Sequence, residues 1–154
     1  MSSEIKPNEP TPSSAASVPS WAVHLPAPQS NPAWIEQSEV EDLIKSSATK
    51  AGVDFLIVDV RRNDLENYLL KTAVNVPAQT FHQTLPTLVS IWRNIPLVIF
   101  YCGSCGGRGP RCASWYQDAL NAESITTSEA RILTGGVKAW VAKYGETSDL
   151  VQKA

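Results

Sequence analysis

The chain has 154 residues, of which 43% are hydrophobic, and its formal net charge at pH 7 is −2. This length and composition predict one domain with a substantial core. The weak charge gives no indication of nucleic acid or of a membrane surface as a partner, and no apolar run approaches the roughly 20 residues that span a bilayer. The first residues lack the basic and apolar series of a secretory signal, so we expect a cytoplasmic protein, with a nuclear location left open.

The three cysteines of the chain, Cys102, Cys105 and Cys112, lie close together. A disulfide framework would distribute its cysteines along a short secreted chain. The observed cluster instead predicts thiol chemistry at one place in an intracellular protein. We expect no metal site, because the cysteines match only half of a zinc cluster and the other half is absent.

Residues 1–31 are rich in proline and serine and show no apolar period. This composition predicts a disordered tail. The folded domain is then expected over residues 32–146, with a second tail over residues 147–154.

Strands and helices are predicted to alternate along the domain. Short apolar runs predict strands over residues 33–35, 55–60, 73–76, 97–101 and 130–133. Helices are predicted from Ser38 with Glu41 as its capping-box partner, over 85–92 with Pro86 in the first turn, over 109–121, and from Gly136 to Gly145. This alternation indicates an α/β domain with a mostly parallel sheet.

The segment from Cys102 to Arg108 is the most distinctive motif, because it joins a buried strand to a predicted helix. Its glycines permit the backbone angles that allow successive N–H groups to converge on one anion. Arg108 offers a planar fork of donors that matches a tetrahedral oxyanion, and the helix adds its positive end. The motif predicts a Cys102 thiolate within an anion-binding loop formed by Gly103, Ser104, Cys105, Gly106, Gly107 and Arg108.

Four segments, in this order along the chain, resemble a single rhodanese domain: residues 57–61, 73–77, 102–108 and 133–140. The resemblance covers roughly residues 34–145 and implies a three-layer α/β fold, with a central, mostly parallel sheet flanked by helices. The loop, Cys-x5-Arg followed by Gly-Pro, resembles the branch that includes the cell-cycle dual-specificity phosphatases and the fungal arsenate reductases. Tyr101 stands where that branch carries a histidine.

The resemblance implies a thiol-dependent enzyme in which Cys102 and Arg108 are catalytic. Its substrate would be a small oxyanion or a phosphorylated compound, so the activity would be arsenate reductase or phosphatase. No bound cofactor is expected, and an external thiol such as glutathione or a small redox protein would be the reductant. One alternative is a sulfurtransferase that carries a persulfide on Cys102, although sulfurtransferases of this fold usually have a loop one residue shorter. Another alternative is a non-catalytic rhodanese module that binds a partner.

The roles of several neighbouring residues stay open at this point. Cys105 is either a resolving thiol for Cys102 or a small residue that fills the loop. Asp59 and Arg61 end a buried strand and are expected to support the site. They would either tune its electrostatics or act structurally, by pairing with the loop backbone or with each other. Asp64 and Glu66 lie in a loop that would either supply a proton donor or carry solvated charges.

Overall fold

The computed structural model describes residues 18–62, 68–104 and 106–153. Five strands form a central sheet: β1 (Ala33–Ile35), β2 (Phe55–Asp59), β4 (Val74–Asn75), β5 (Leu97–Tyr101) and β6 (Glu129–Leu133). They pair in parallel in the order β1-β6-β5-β2-β4. A second sheet pairs β3 (Tyr68–Leu70) with β7 (Val151–Lys153) in antiparallel fashion.

Four α-helices and one short 3-10 helix surround these strands in the described part of the chain. They are the 3-10 helix Ser20–Ala22, α1 (Gln37–Lys45), α2 (Ala78–Trp92), α3 (Arg108–Ala122) and α4 (Gly136–Tyr144). No helix among the described residues is both long enough and apolar enough to cross a membrane. The predicted α/β class, with helices around a mostly parallel sheet, is confirmed.

The two central strands, β2 and β5, are apolar along nearly their whole length because both faces of the sheet are covered. Every residue of β2 is buried, and four of the five residues of β5 are buried. Phe100 of β5 packs edge-on against Phe81 of α2 and at a tilt against Tyr116 of α3, with ring centroids 5.6 and 5.8 Å away. This aromatic cluster fixes α2 and α3 on one face of the sheet.

The carboxyl ends of β2 and β5 lie at the same edge of the sheet. Asp59 of β2 is opposite Tyr101 of β5, and the Val60 N–H donates to the Tyr101 carbonyl at 3.0 Å. Ligand sites of parallel α/β sheets form at this edge, where the loops that follow the strands converge. The loop that begins at Cys102 therefore emerges beside the segment that follows Asp59.

Two helix starts were predicted wrongly. The α1 helix is capped by Glu36 in a capping box with Glu39, two residues before the predicted Ser38 and Glu41. A carboxylate at the N-cap can accept the same hydrogen bond from a backbone N–H as a serine hydroxyl, so the helix can begin two residues before the predicted position. The α2 helix begins at Ala78, directly after Pro77, so Pro86 lies inside the helix instead of in its first turn. The stabilisation gained by burying α2 against the aromatic cluster outweighs the cost of the backbone hydrogen bond that Pro86 cannot donate.

The predicted boundary at residue 32 is also wrong for the described part of the N-terminal segment. Residues 18–31, which we call the strap, lie against α3. Ala22 is 2% exposed, and the Trp115 indole N–H donates to the Pro26 carbonyl at 2.9 Å. Asp118 accepts hydrogen bonds from the N–H groups of Gln29 and Ser30, both at 2.8 Å. These polar and apolar contacts offset the entropic cost of ordering a proline-rich segment. Residues 1–17 lie outside the described residues.

The segment that follows α4 is likewise part of the folded domain. Its last strand, β7, forms the second sheet with β3, and the Trp140 indole N–H donates to the Leu150 carbonyl at 2.9 Å. The prediction of a tail over residues 147–154 is therefore wrong for residues 147–153. The partner strand β3 is remote in sequence and only three residues long, so no local pattern indicated the pairing.

Candidate active site

Cys102 lies at the base of a cleft of about 430 Å³ at the carboxyl edge of the sheet. It directly follows β5, is 3% exposed, and accepts a hydrogen bond on its sulfur from the Gly109 N–H, with a nitrogen–sulfur distance of 3.3 Å. Gly109 belongs to the first turn of α3, where backbone N–H groups have no partner within the helix. This donor and the positive end of α3 favour the thiolate form of Cys102.

The described residues of the predicted anion loop line this cleft together. They are Gly103, Ser104, Gly106, Gly107 and Arg108. The sixth predicted member, Cys105, lies outside the described residues, as do Asp64 and Glu66. The remaining walls come from Pro19, Trp21, Arg111 and Lys138. Three of the lining side chains are cationic, and none of the described ones is acidic, so the cleft suits an anion.

The start of α4 fixes the first two peptide groups of the loop. The N–H groups of Val137 and Lys138 donate to the carbonyls of Cys102 and Gly103 at 3.1 and 3.0 Å. In a trans peptide the N–H points opposite to the preceding carbonyl. The N–H groups of Gly103 and Ser104 therefore point away from α4.

The close contact between α4 and the loop requires glycine at position 136. Gly136 has a φ of +62°, and a Cβ atom there would stand 2.6 Å from the carbonyl oxygens of both Cys102 and Gly103. We expect Gly136→Ala to lower the free energy of unfolding, in urea titrations, by about 1–2 kcal/mol for the positive φ and further for the backbone clash. Gly52→Ala is the matched control, because Gly52 has a φ of +86° with no neighbour within 4 Å. Equal losses in the two variants would show that the contact is not tight.

Asp59 and Arg61 are buried at the carboxyl edge of the sheet and do not line the cleft. Asp59 is 0% exposed, and its carboxylate pairs with the Arg61 guanidinium at 2.7 Å. Arg61 also donates to the Tyr68 carbonyl of β3. The side-chain amide of Asn75 donates to the carbonyls of both Asp59 and Arg61 at 2.9 Å. Of the two predicted roles, the pairing of these residues with each other is the one observed.

The Tyr101 hydroxyl takes part in a structural hydrogen bond between two parts of the fold. The ring is buried, and the hydroxyl oxygen accepts a hydrogen bond from the Leu70 N–H at 3.1 Å. Burial, with the Asp59 carboxylate as a second cause, raises the pKa of Tyr101 far above its ordinary value. The phenol therefore stays protonated and joins β5 to the second sheet.

Cys112 is unsuited to act as the nucleophile of the site. It is 0% exposed on the inner face of α3, where Tyr116 and Leu120 are also buried. Burial is the main cause that raises the pKa of its thiol well above the usual range, and the nearby Cys102 raises it further. Cys112 therefore remains a neutral packing residue.

Four lining residues of the cleft were not predicted as site residues from the sequence: Pro19, Trp21, Arg111 and Lys138. Lys138 follows the Gly135–Gly136 turn after β6. Because the carboxyl ends of parallel strands lie at one edge of the sheet, the position of Lys138 after β6 could have indicated that it lies near the loop. Arg111 lies one helical turn beyond Arg108, so helical periodicity was a signal for it. Trp21 had no signal, because it lies in a proline- and serine-rich segment.

The chain belongs to the Rhodanese-like domain family, whose profile matches residues 36–143. It is also similar to arsenical-resistance protein 2 of Saccharomyces cerevisiae, with 34% identity over 96 residues that cover 56% of this chain and 74% of that protein. The resemblance inferred from the sequence is confirmed by these matches. The strap lies outside the matched region.

Two solved structures share the fold. The As-Sb reductase from Leishmania major superposes with a TM-score of 0.65 at 21% identity, covering 79% of this chain and 85% of that one. Ygr203w, a yeast protein tyrosine phosphatase of the rhodanese family, gives a TM-score of 0.64 at 18% identity, covering 80% of this chain and 93% of that one. At these identities the likeness establishes the common fold.

Proposed function

We propose that this protein is a thiol-dependent enzyme that acts on a tetrahedral oxyanion, with arsenate as its substrate. One observation carries the proposal: the Cys102 sulfur lies 3.3 Å from the Gly109 amide nitrogen at the base of a cationic cleft. The similarity to arsenical-resistance protein 2 supports arsenate as the oxyanion. The cytoplasm is the expected location.

Binding of the oxyanion would be shared by Arg108 and the loop amides. A guanidinium donates two parallel hydrogen bonds to a pair of oxygens, which matches one edge of the tetrahedron. The N–H groups of Gly103 and Ser104, which point away from α4, would bind the remaining oxygens. Preorganised donors of this kind are usually the largest contribution to catalysis at such sites.

The chemistry would begin with attack of the Cys102 thiolate on arsenic, which forms a sulfur–arsenic bond and releases water. An external thiolate then attacks the Cys102 sulfur of this adduct. A disulfide forms, the sulfur–arsenic bond breaks, and its electron pair remains on arsenic, which leaves as arsenite. A second external thiol reduces the disulfide and restores Cys102. Arsenate thus gains two electrons, and two thiols lose one each.

Cys105 would offer a shorter route through the same steps. As a resolving thiol it would attack Cys102 in place of the external thiol, and the external reductant would then reopen a Cys102–Cys105 disulfide. The same site would also suit hydrolysis of a phosphoester, because phosphate is tetrahedral like arsenate. That reaction would proceed through a phosphocysteine at Cys102. Tyr101 is buried and its pKa is raised far above the ordinary value, so its phenol offers no proton transfer to that reaction.

A sulfurtransferase is the second candidate, because the Rhodanese-like family profile matches the chain. In that reaction Cys102 would take the outer sulfur of thiosulfate as a persulfide and pass it to a thiol or to cyanide. The Cys-x5-Arg loop is one residue longer than is usual in sulfurtransferases of this fold. The extra residue would widen the ring of amides beyond what a terminal sulfur needs, which favours the oxyanion substrate.

Parallel assays of the purified 154-residue chain separate the candidates. We expect arsenate-dependent oxidation of glutathione, followed by the coupled consumption of NADPH, to exceed thiocyanate formation from thiosulfate and cyanide by at least about tenfold in kcat/KM. An aryl phosphate serves as the third substrate. Thiocyanate formation as the dominant activity would overturn the proposal in favour of the sulfurtransferase.

A further inference from the structure

The cleft is much larger than a free oxyanion requires. A tetrahedral oxyanion fills the space of roughly two or three water molecules, at about 30 Å³ each. The cleft encloses about 430 Å³, within the range of sites that hold organic ligands. Cys102 and its loop form the inner part, which leaves an outer part for another molecule.

The strap forms one wall of this outer part. Pro19 and Trp21 line the cleft, and Trp21 packs edge-on against Trp115 of α3 with ring centroids 6.2 Å apart. Arg111 also lines the cleft, and its guanidinium carbon lies 5.9 Å from the centroid of the same Trp115 ring. An aromatic side chain and a guanidinium, both in contact with Trp115, thus border the outer part of the cleft.

The strap is held in this position by the outer face of α3. Trp115 donates to the Pro26 carbonyl, and Asp118 accepts from two strap N–H groups and from the Ser30 hydroxyl. Arg111, Trp115 and Asp118 follow one another at helical spacing, so they share a face of α3. The strap is therefore a folded part of the domain, and partly buried hydrogen bonds to α3 hold it in place.

From this arrangement we propose that Trp21, Pro19 and Arg111 form a second subsite, which binds the organic body of an anionic thiol. The apolar wall would pack against the carbon chain, and Arg111 would pair with a carboxylate. The bound thiol would then stand beside Cys102, where it attacks the Cys102 sulfur. Trp21 and Arg111 are thus specificity-determining residues for the reductant, an inference that rests on the proposed thiol-dependent function.

Disulfide exchange at Cys102 tests the subsite without arsenate. In this step the Cys102 thiolate attacks a disulfide, a new sulfur–sulfur bond forms, and one thiolate leaves. We expect the second-order rate to decrease from glutathione disulfide, which carries carboxylates, to neutral hydroxyethyl disulfide and then to cationic cystamine. Mass spectrometry of peptides assigns the reaction to Cys102 and separates it from the other cysteines.

Substitutions in the two subsite side chains should change this selectivity in different ways. We expect Arg111→Ala to slow exchange with glutathione disulfide by about tenfold and exchange with the neutral disulfide by less than about twofold. Trp21→Ala removes no charge, so alkylation of Cys102 by the small anion iodoacetate should hold its rate while exchange with glutathione disulfide slows about fivefold. Trp21→Phe should retain most of the wild-type rate.

Two control variants remove a tryptophan and an arginine that lie outside the cleft. Trp34→Ala and Arg93→Ala change exposed residues that do not line the cleft, and both should behave as the wild type. Circular dichroism and thermal unfolding confirm that each variant is folded. Unchanged selectivity in folded Trp21→Ala and Arg111→Ala would overturn the subsite even if arsenate is reduced. Selective exchange without arsenate turnover would keep the subsite and overturn the proposed function.

Discussion

Replacing Cys102 by serine is expected to reduce arsenate reduction and aryl phosphate hydrolysis by about four orders of magnitude or more. A serine hydroxyl does not ionise near neutral pH, and the Gly109 N–H that contacts the sulfur cannot change this. The coupled NADPH assay and the release of aryl alcohol measure the two losses. Anion binding should survive, because Arg108 and the loop amides are unchanged.

Cys112→Ala is the matched control for this experiment. It removes a buried thiol that lies on the inner face of α3 and does not line the cleft. We expect it to keep nearly full activity and to cost about 1 kcal/mol of stability through the small cavity it leaves. Full activity of Cys102→Ser, or loss of activity in a folded Cys112→Ala protein, would contradict the assignment of Cys102 as the nucleophile.

Replacing Arg108 by alanine should lower kcat/KM for arsenate by about 10²–10³, the usual cost of removing one preorganised donor to an oxyanion. Arg108 begins α3 and lines the cleft beside the loop glycines, so its loss removes the fork as well as a positive charge. Arg108→Lys should recover only part of the activity, because an ammonium supplies charge without two parallel donors. Steady-state kinetics on the three proteins measures these differences.

Arg93→Ala controls for the loss of a guanidinium in this series. Arg93 is exposed at the end of α2 and does not line the cleft, so its removal should leave kcat/KM unchanged. The rank order wild type, Arg108→Lys, Arg108→Ala is the expected result. Equal activity of Arg108→Lys and the wild type would mean that only the charge matters and that the planar fork does not.

Local patterns along the chain predicted the centre of the fold well, whereas Cys102 as the nucleophile stays a prediction. The strand at Leu97–Tyr101 was predicted at its observed bounds, because an uninterrupted apolar run ends at a glycine-rich loop. The described members of that loop do line one cleft, as the pattern of glycines and Arg108 indicated. Both features depend on residues that are neighbours in sequence, and such features are the ones that sequence reasoning detects.

The features that were missed depend on contacts between distant parts of the chain. The strap was predicted to be disordered because its composition is polar and proline-rich, yet Asp118 and Trp115 bind its backbone from about 90 residues away. The β3–β7 pair joins two three-residue strands, which are too short to show a period. Trp21, which lies in this segment, was therefore not predicted as a site residue, although it lines the cleft.

A single helix, α3, connects the candidate nucleophile to the strap. Its first turn supplies the Gly109 amide at the Cys102 sulfur, and its outer face holds the strap through Trp115 and Asp118. A designer who transplants only residues 102–108 into another protein of this fold would leave the outer wall of the cleft behind. The smallest portable unit is the loop together with the whole of α3 and the strap.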